Sequence, residues 1–328
     1  MSHSANARKA HLYLILTTYL VLALGYGLIN PLFEAPDEHY HFFTAVWIAE
    51  TGTLPAVPQP AGPPASFAPQ TAAEWLGPEA AQPPLYYLLA ALLIAPFDTS
   101  QAQNLTIPNP FTQLGDGSSP TNRNAFVHVQ EQWPWPPHVW AAHWLRVVSA
   151  VIGLAVLLAI YHTALLMWPD VPQRAKWATA VVALLPQFTF QFSTISNDVL
   201  ITALASLALY QVVGWGSREE RGEKREERGR LLVLALTCGA AALTKNQGLL
   251  LIGWVFGGVV SHRMGQRGRG AGGQGAEGIS SLTLTTHHYF HLSLFTFYFS
   301  SHLSSSPLPS GGAIGGCMGI SRPLTNSS

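Results

Sequence analysis

Residues 11–30, HLYLILTTYLVLALGYGLIN, form an apolar run of 20 residues, and the acidic stretch 30–55, NPLFEAPDEHYHFFTAVWIAETGTLP, follows it directly. A membrane-spanning helix needs about 20 mostly apolar residues. The run therefore predicts a first transmembrane helix, preceded by an N-terminal segment of residues 1–10 that carries Arg8 and Lys9. The alternative is a secretory signal peptide cut near residues 23–25, which the later apolar runs disfavour.

The composition points to the same class. Of the 328 residues, 48% are hydrophobic and 10% are charged, whereas soluble domains carry about a quarter charged residues. The formal net charge of zero argues against a nucleic-acid partner. Cys238 and Cys317 form neither a disulfide framework nor a CxxC metal motif. The chain is therefore predicted to be an all-α polytopic membrane protein.

Five further apolar runs bring the expected number of transmembrane helices to about six. They cover residues 145–168, 177–192, 199–215, 231–243 and 248–261. The run at residues 85–97 is too short to span and is predicted to be re-entrant or interfacial. Transmembrane helices two to six are thus expected within residues 143–264.

The positive charges predict the orientation. If residues 85–97 do not cross the membrane, 13 of the 17 Lys and Arg residues fall on the same side of it. The positive-inside rule identifies that side as the cytoplasm. The N-terminus is then cytoplasmic, and residues 31–142 form a long extracytoplasmic loop of interfacial helices and turns. We expect a multi-pass protein of the cell membrane whose active face is extracytoplasmic.

The last part of the chain departs from this pattern. From residue 265 a Gly-rich stretch leads into a segment rich in Ser, Thr, His and Phe, without a long apolar run. Residues 265–328 are therefore predicted to be a low-complexity tail, either divergent or out of frame. A frameshift that truncates a longer membrane protein is the favoured explanation, and a product truncated in this way can be inactive.

The acidic stretch predicts a short helix beside the membrane. Pro36 suits a first helical position, and Asp37 and Glu38 suit the positive end of the helix dipole. The aromatic face of this helix is expected to lie on the bilayer. The carboxylates can simply cap the helix, and His39 and His41 can be ordinary interfacial histidines rather than metal ligands.

Other polar groups are predicted at the same membrane surface. Asn197 and Asp198 follow the third apolar run, where they could also cap the next helix. Lys245 interrupts the last two runs, and Arg146 begins the second. Each cation can either snorkel to the interface or meet an anionic phosphate.

The order of these motifs resembles the N-terminal half of GT-C membrane glycosyltransferases, which include protein O-mannosyltransferases and aminoarabinose transferases. The motifs are PDEHYH (36–41), QPPLYYLL (82–89), HWLRVVSAVIGL (143–154), SND (196–198) and LTK (243–245). The resemblance covers roughly residues 12–260 and is nearest to a bacterial branch of uncharacterised multi-pass proteins.

This resemblance implies transfer of a sugar from a polyprenyl-phosphate donor to a glycan, lipid or protein acceptor, with inversion. It makes Asp37 the general base, with Glu38 beside it, and Asp198 the acid of the second outer loop. Gln82 stands where relatives often have His, which leaves its role open. The predicted substrate-binding residues are His41, Gln82, Arg146, Asn197 and Lys245. No cofactor or metal ligand is assigned, although some relatives use a divalent metal.

Two other classes stay open. A transporter would suit intramembrane charge and broken helices, but the acids lie at the surface and no inverted repeat is visible. A non-catalytic fragment of a membrane protein would suit the tail.

Overall fold

The computed structural model describes residues 2–56, 76–111, 124–219 and 227–258. The chain divides into two units, Met1–Gln274 and Gly275–Ser328, and every element below belongs to the first. The predicted tail from residue 265 lies outside the described residues, as do residues 57–75 and 112–123 of the predicted outer loop.

The described part of the chain is helical, and its one β-type contact is an isolated bridge between Pro108 and Phe126. The helices are α1 (Ser2–Ile29), α2 (Glu38–Thr51), α3 (Leu85–Ile94), α4 (Pro137–Met167), α5 (Pro172–Ala183), α6 (Pro186–Gln191), α7 (Asn197–Glu219), α8 (Glu227–Thr244) and α9 (Gly248–Gly258). Three short 3₁₀ turns lie at Gly77–Ala81, Ala102–Thr106 and Val129–Glu131. This all-α architecture confirms the predicted fold class.

Among the described residues, three segments are long and apolar enough to cross a membrane. They are Lys9–Ile29 in α1, Pro137–Met167, which is all of α4, and Asn197–Trp215 in α7. The other predicted spans correspond to shorter helices. With 31 residues, α4 is about 46 Å long, more than the roughly 30 Å hydrocarbon layer of a bilayer. Its first turns can therefore extend out of the apolar layer.

The predicted span 177–192 is not a single helix. The chain forms α5 and α6 instead, and the two are separated at Leu184 and Leu185. Pro186 explains the break, because a proline disfavours the helical conformation of the residue before it. Leu185 is accordingly extended, with φ −71° and ψ 116°.

Helix α2 begins at Glu38, so Pro36 lies before it rather than at its first position. Asp37 precedes the helix in the left-handed conformation, with φ 58°, and its side chain makes no capping hydrogen bond. The aromatic residues Phe42 and Phe43 are buried in the protein core against α3, instead of lying on lipid as expected. The helix ends at Thr51, and the next residue, Gly52, is also left-handed (φ 66°), as the residue after a helix often is.

The bundle is organised around α4, which packs against α1, α5 and α7, while α8 packs against α7. Helices α2 and α3 pair with each other beside the first turns of α4, and α3 also contacts α7 and α8. The end of α1 and the end of α8 thus lie near the beginnings of α2, α4 and α7. We call this region the site end of the bundle.

Candidate functional site

A buried ion pair between Glu38 and Arg146 links the segments that meet at the site end. The exposed fraction of Glu38 is 0% and that of Arg146 is 2%. Arg146 Nε donates to Glu38 Oε1 at 2.8 Å, and Arg146 Nη2 donates to Glu38 Oε2 at 2.6 Å. This is the bidentate geometry that a guanidinium forms with a carboxylate.

The remaining donors of Arg146 are also used. Nη1 donates to the carbonyls of Gly27 (2.9 Å) and Asn30 (2.7 Å), and Nη2 donates to the carbonyl of Pro31 (3.1 Å). A guanidinium has five N–H donors, and all five are thereby satisfied. The structure therefore leaves Arg146, predicted to bind substrate, no N–H for a phosphate.

Glu38 is saturated in the same way. Besides its two bonds from Arg146, Oε2 accepts the N–H of Phe33 and Oε1 accepts the N–H of Ile195, both at 3.0 Å. A carboxylate offers about four lone-pair sites. The pair joins α1, α2, α4 and the segment before α7, so Glu38 acts as a structural link in this geometry. Its catalytic role stays a prediction.

Asp37 is adjacent in sequence to Glu38 but takes no part in the Glu38–Arg146 ion pair. Its carboxylate is half-buried, and within the described residues it accepts no hydrogen bond. Burial raises the pKa of Asp37, the Lys245 ammonium lowers it, and Asp198 raises it again, so that the pKa lies above the ordinary value. Asp37 is thus an available carboxylate in the electrostatic field of the other two groups.

Asp198 and Lys245 form a second ion pair, between Lys245 Nζ and Asp198 Oδ1. Asp198 lies in the first turn of α7, and Lys245 follows the last residue of α8. The Lys245 side chain is 7% exposed and the Asp198 side chain 17%. The structure therefore brings together three of the predicted residues, Asp37, Asp198 and Lys245.

A chain of four buried polar side chains leads away from this group. Tyr87 Oη donates to Glu79 Oε2 at 2.8 Å and is 3.0 Å from His41 Nδ1. Asn197 Nδ2 donates to the same hydroxyl at 3.4 Å. His41 and Asn197 were predicted from the sequence, whereas Glu79 and Tyr87 were not.

Electrostatics connect this chain to Asp37. Burial raises the pKa of Glu79, the Tyr87 hydrogen bond and Lys245 lower it, and Asp37 and Asp198 raise it, with a net increase. The pKa of His41 is lowered to about 3, first by burial and then by Lys245 and His39. His41 is therefore neutral near pH 7. Because the single Tyr87 hydroxyl proton is donated to Glu79, the contact with Tyr87 is favourable in the tautomer that carries the ring proton on Nδ1.

Two predicted amides carry acceptors without partners in the described part of the chain. The Gln82 Oε1 and Asn197 Oδ1 atoms are both buried and unbonded there. Gln82 lies directly after the Gly77–Ala81 turn, and its backbone N–H donates to the carbonyl of Glu79 at 3.1 Å. Unpaired buried acceptors are costly, so both amides are suited to receive a hydroxyl from a ligand.

A third network, which the sequence did not indicate, surrounds His128. Its Nε2 is 2.8 Å from Glu34 Oε1 and its Nδ1 is 2.5 Å from Glu131 Oε1. Glu131 accepts the backbone N–H of Leu32 at 3.1 Å with both oxygens. No group of three or more His, Cys, Asp or Glu side chains suited to a metal occurs in the ranges that the structure describes.

Comparison with family models identifies a family that this chain matches. A family model described as "Predicted membrane protein (DUF2142)" matches residues 139–307. The matched range includes Arg146, Asp198 and Lys245, whereas Asp37 and Glu79 precede it. No curated protein and no solved structure matches the chain.

Proposed function

The chain belongs to the DUF2142 family of predicted membrane proteins, and from the geometry of the site end we propose that it transfers a sugar from a polyprenyl-phosphate donor to an acceptor hydroxyl. The observation that carries the proposal is the convergence of Asp37 with the Asp198–Lys245 pair at the site end. The acceptor hydroxyl belongs to a glycan, a lipid or a protein.

Asp37 is the general base of the proposed reaction. Its carboxylate is available, and burial together with Asp198 moves its pKa above that of an ordinary aspartate. A carboxylate whose pKa lies closer to the working pH accepts a proton more readily in the transition state. Glu38, although adjacent in sequence, has no comparable freedom because its oxygens are already bonded.

Lys245 stabilises the departing phosphate. A lysine ammonium has three N–H donors, and in the described residues one of them is directed at Asp198. Two donors are therefore available for phosphate oxygens. Positive charge aimed at the point where negative charge develops is an effective form of catalysis.

The chemical step balances without a further reactant. Asp37 removes the proton of the acceptor hydroxyl while that oxygen attacks the anomeric carbon from the face opposite the phosphate. The bond between the anomeric carbon and the phosphate oxygen breaks, and its electron pair stays on the polyprenyl phosphate beside Lys245. The products are an inverted glycoside and a protonated Asp37.

A polyprenyl donor also accounts for the membrane setting. Large apolar side chains are exposed along the helices, among them Leu14 (65%) and Val21 (63%) on α1 and Leu232 (60%) on α8. Such surfaces suit contact with acyl or polyprenyl chains rather than water. The donor can thus keep its tail in the bilayer while its phosphate reaches the site end.

The positive-inside distribution supports an extracytoplasmic site end and a cytoplasmic N-terminus. A reporter enzyme fused after Asp116 is expected to be active outside the membrane, and one fused after Glu223 inside. The opposite pattern would reverse the proposed orientation without affecting the chemistry.

The reaction can be tested with the full-length protein in proteoliposomes, supplied with polyprenyl-phosphate monosaccharides and a cell-envelope extract as acceptor. Release of sugar-free polyprenyl phosphate is measured by mass spectrometry. Asp37→Asn is expected to reduce release by about 100-fold or more, the usual range for a lost general base. The exposed Asp170, in the turn between α4 and α5, provides the matched control Asp170→Asn, which should retain activity.

Two results would contradict the proposal. One is full release by a correctly folded Asp37→Asn variant, which would show that Asp37 is not the general base. The other is the absence of release by the wild-type protein with every donor in the panel.

A further inference from the structure

The segment 124–135, which we call the strap, is fastened over the turn between α1 and α2. Glu34, in that turn, accepts the backbone N–H groups of Ala125 at 2.9 Å and Phe126 at 3.2 Å. In the opposite direction, Glu131 of the strap accepts the N–H of Leu32 in the turn. The two carboxylates therefore bond reciprocally across the contact.

His128 lies between these two carboxylates and contacts one with each ring nitrogen, at 2.8 Å and 2.5 Å. A carboxylate can only accept, and a neutral imidazole can donate from one nitrogen only. Both contacts are therefore favourable only when the ring is protonated. Loss of that proton would turn one contact into a repulsion between lone pairs.

From this geometry we propose that His128 is a pH-sensitive latch that holds the strap on the α1–α2 turn and thereby controls the conformation of the turn that carries Asp37. The proposal does not depend on the reaction assigned above. Its consequence is that the strap is closed when His128 is protonated and loosens when the proton is lost.

The turn beneath the strap is suited to respond. Phe33 and Asp37 both have positive φ values, 68° and 58°, which non-glycine residues adopt only when their surroundings hold them. Those surroundings include the Glu131 bond to Leu32 and the Glu38 bond to Phe33. Releasing the strap removes the first of these restraints.

The direction of the pH effect follows from the groups around His128. Burial lowers the pKa of His128, but the hydrogen bonds and charges of Glu131 and Glu34 outweigh it, so that the pKa lies above the ordinary 6.5. Because the pKa is raised in the folded state, the stabilisation is complete below 6.5 and is lost as the pH rises through the raised value.

The other titratable groups near the strap do not reverse this expectation. His39 of α2 contacts Phe126 of the strap, and burial lowers its pKa to about 4, so it stays neutral throughout the window. His143 of α4 stacks on Trp135 of the strap, and His138 Nε2 lies 3.2 Å from Gln130 Oε1, an uncharged group of the strap. Arg146 and Glu38 are bonded to each other.

The latch can be tested by hydrogen–deuterium exchange of the full-length protein in nanodiscs between pH 5.5 and about 9, with rates corrected for intrinsic exchange. Peptides covering residues 31–34 and 124–127 are expected to lose about tenfold or more of their protection as the pH rises, the effect of one hydrogen bond to a charged group. A peptide from α7 should keep constant protection and reports on the intact fold.

Three variants sharpen the test. His128→Gln should abolish the pH dependence and lower protection at pH 5.5. Glu34→Gln removes one of the two charges and should move the midpoint to lower pH, which remains measurable if His128→Gln fails to fold. His11→Gln, at the opposite end of α1, should behave as the wild type. Protection independent of pH in the wild type, or unchanged pH dependence in His128→Gln, would overturn the latch.

Discussion

Replacing Arg146 by methionine should destabilise the protein far more than removing an exposed arginine. Methionine keeps most of the side-chain length but leaves the Glu38 carboxylate, which is 0% exposed, without its cation. Removing one partner of a buried ion pair typically costs about 3–5 kcal/mol in the free energy of unfolding. The carbonyls of Gly27, Asn30 and Pro31 also lose their donor, which favours the upper part of that range.

The reverse single change, Glu38→Gln, should be destabilising for the same reason, since it leaves the Arg146 charge buried. The double variant Glu38→Gln/Arg146→Met carries no buried charge. Its loss of stability should therefore be smaller than the sum of the two single losses, with a coupling of about 0.5–3 kcal/mol as contacting residues show.

These values can be measured by denaturant unfolding in mixed micelles, with Arg174→Met as the matched control. Arg174 is exposed and lies 5.8 Å above the Trp168 ring, a contact worth about 0.5–1 kcal/mol. If Arg146→Met lost no more stability than Arg174→Met, the Glu38–Arg146 pair would not stabilise the packing at the site end. A Glu38→Gln variant with normal stability but no transfer activity would instead support a catalytic Glu38.

Two further predictions concern the surroundings of Asp37. Gly77 has φ +51°, and an added Cβ would lie 2.6 Å from the Tyr40 ring, so Gly77→Ala should lower the melting temperature. Gly52→Ala, at φ +66° but with open space around it, should lower it less, by an amount equivalent to about 1–2 kcal/mol; equal shifts would rule out the clash. Lys245→Met removes a charge that lowers the pKa of Asp37. The variant should transfer sugar more slowly, and the acidic limb of its pH–rate profile should move to higher pH. An unshifted limb would show that Asp37 does not determine it.

The spans of α1, α4 and α7 could be predicted because each is a long uninterrupted apolar run. The division between α5 and α6 was missed because the apolar pattern continues across Pro186. The helical backbone does not continue there, because the proline disfavours the helical conformation of the residue before it. Similarly, the aromatic residues of α2 indicate a surface to be buried but do not distinguish lipid from protein. Phe42 lies in a core cluster that includes residues of α3 and α4, and the assembly of this cluster depends on long-range packing.

The candidate site was predictable in its residue types but not in its pairings. Asp37 and Glu38 are adjacent in sequence and equally acidic, yet only the fold directs Glu38 inward to Arg146, 108 residues away. Glu79 was missed because a single acid in a Pro- and Ala-rich segment carries no motif. The same is true of His128, whose two carboxylate partners come from different segments of the chain.

The two ion pairs at the site end differ in a way that separates structure from chemistry. Arg146 and Glu38 have used all their hydrogen-bonding positions on each other and on backbone groups, so a ligand could bind there only by breaking the fold. Lys245 and Asp198 are joined by one contact in the described residues, and Asp37 lies nearby with its carboxylate available. In the proposed reaction, binding of the donor phosphate requires charges that are fixed in position but still have free hydrogen-bonding positions. The Arg146–Glu38 pair holds the surrounding segments in position. The Lys245–Asp198 pair and Asp37 provide the hydrogen-bonding positions that are still free.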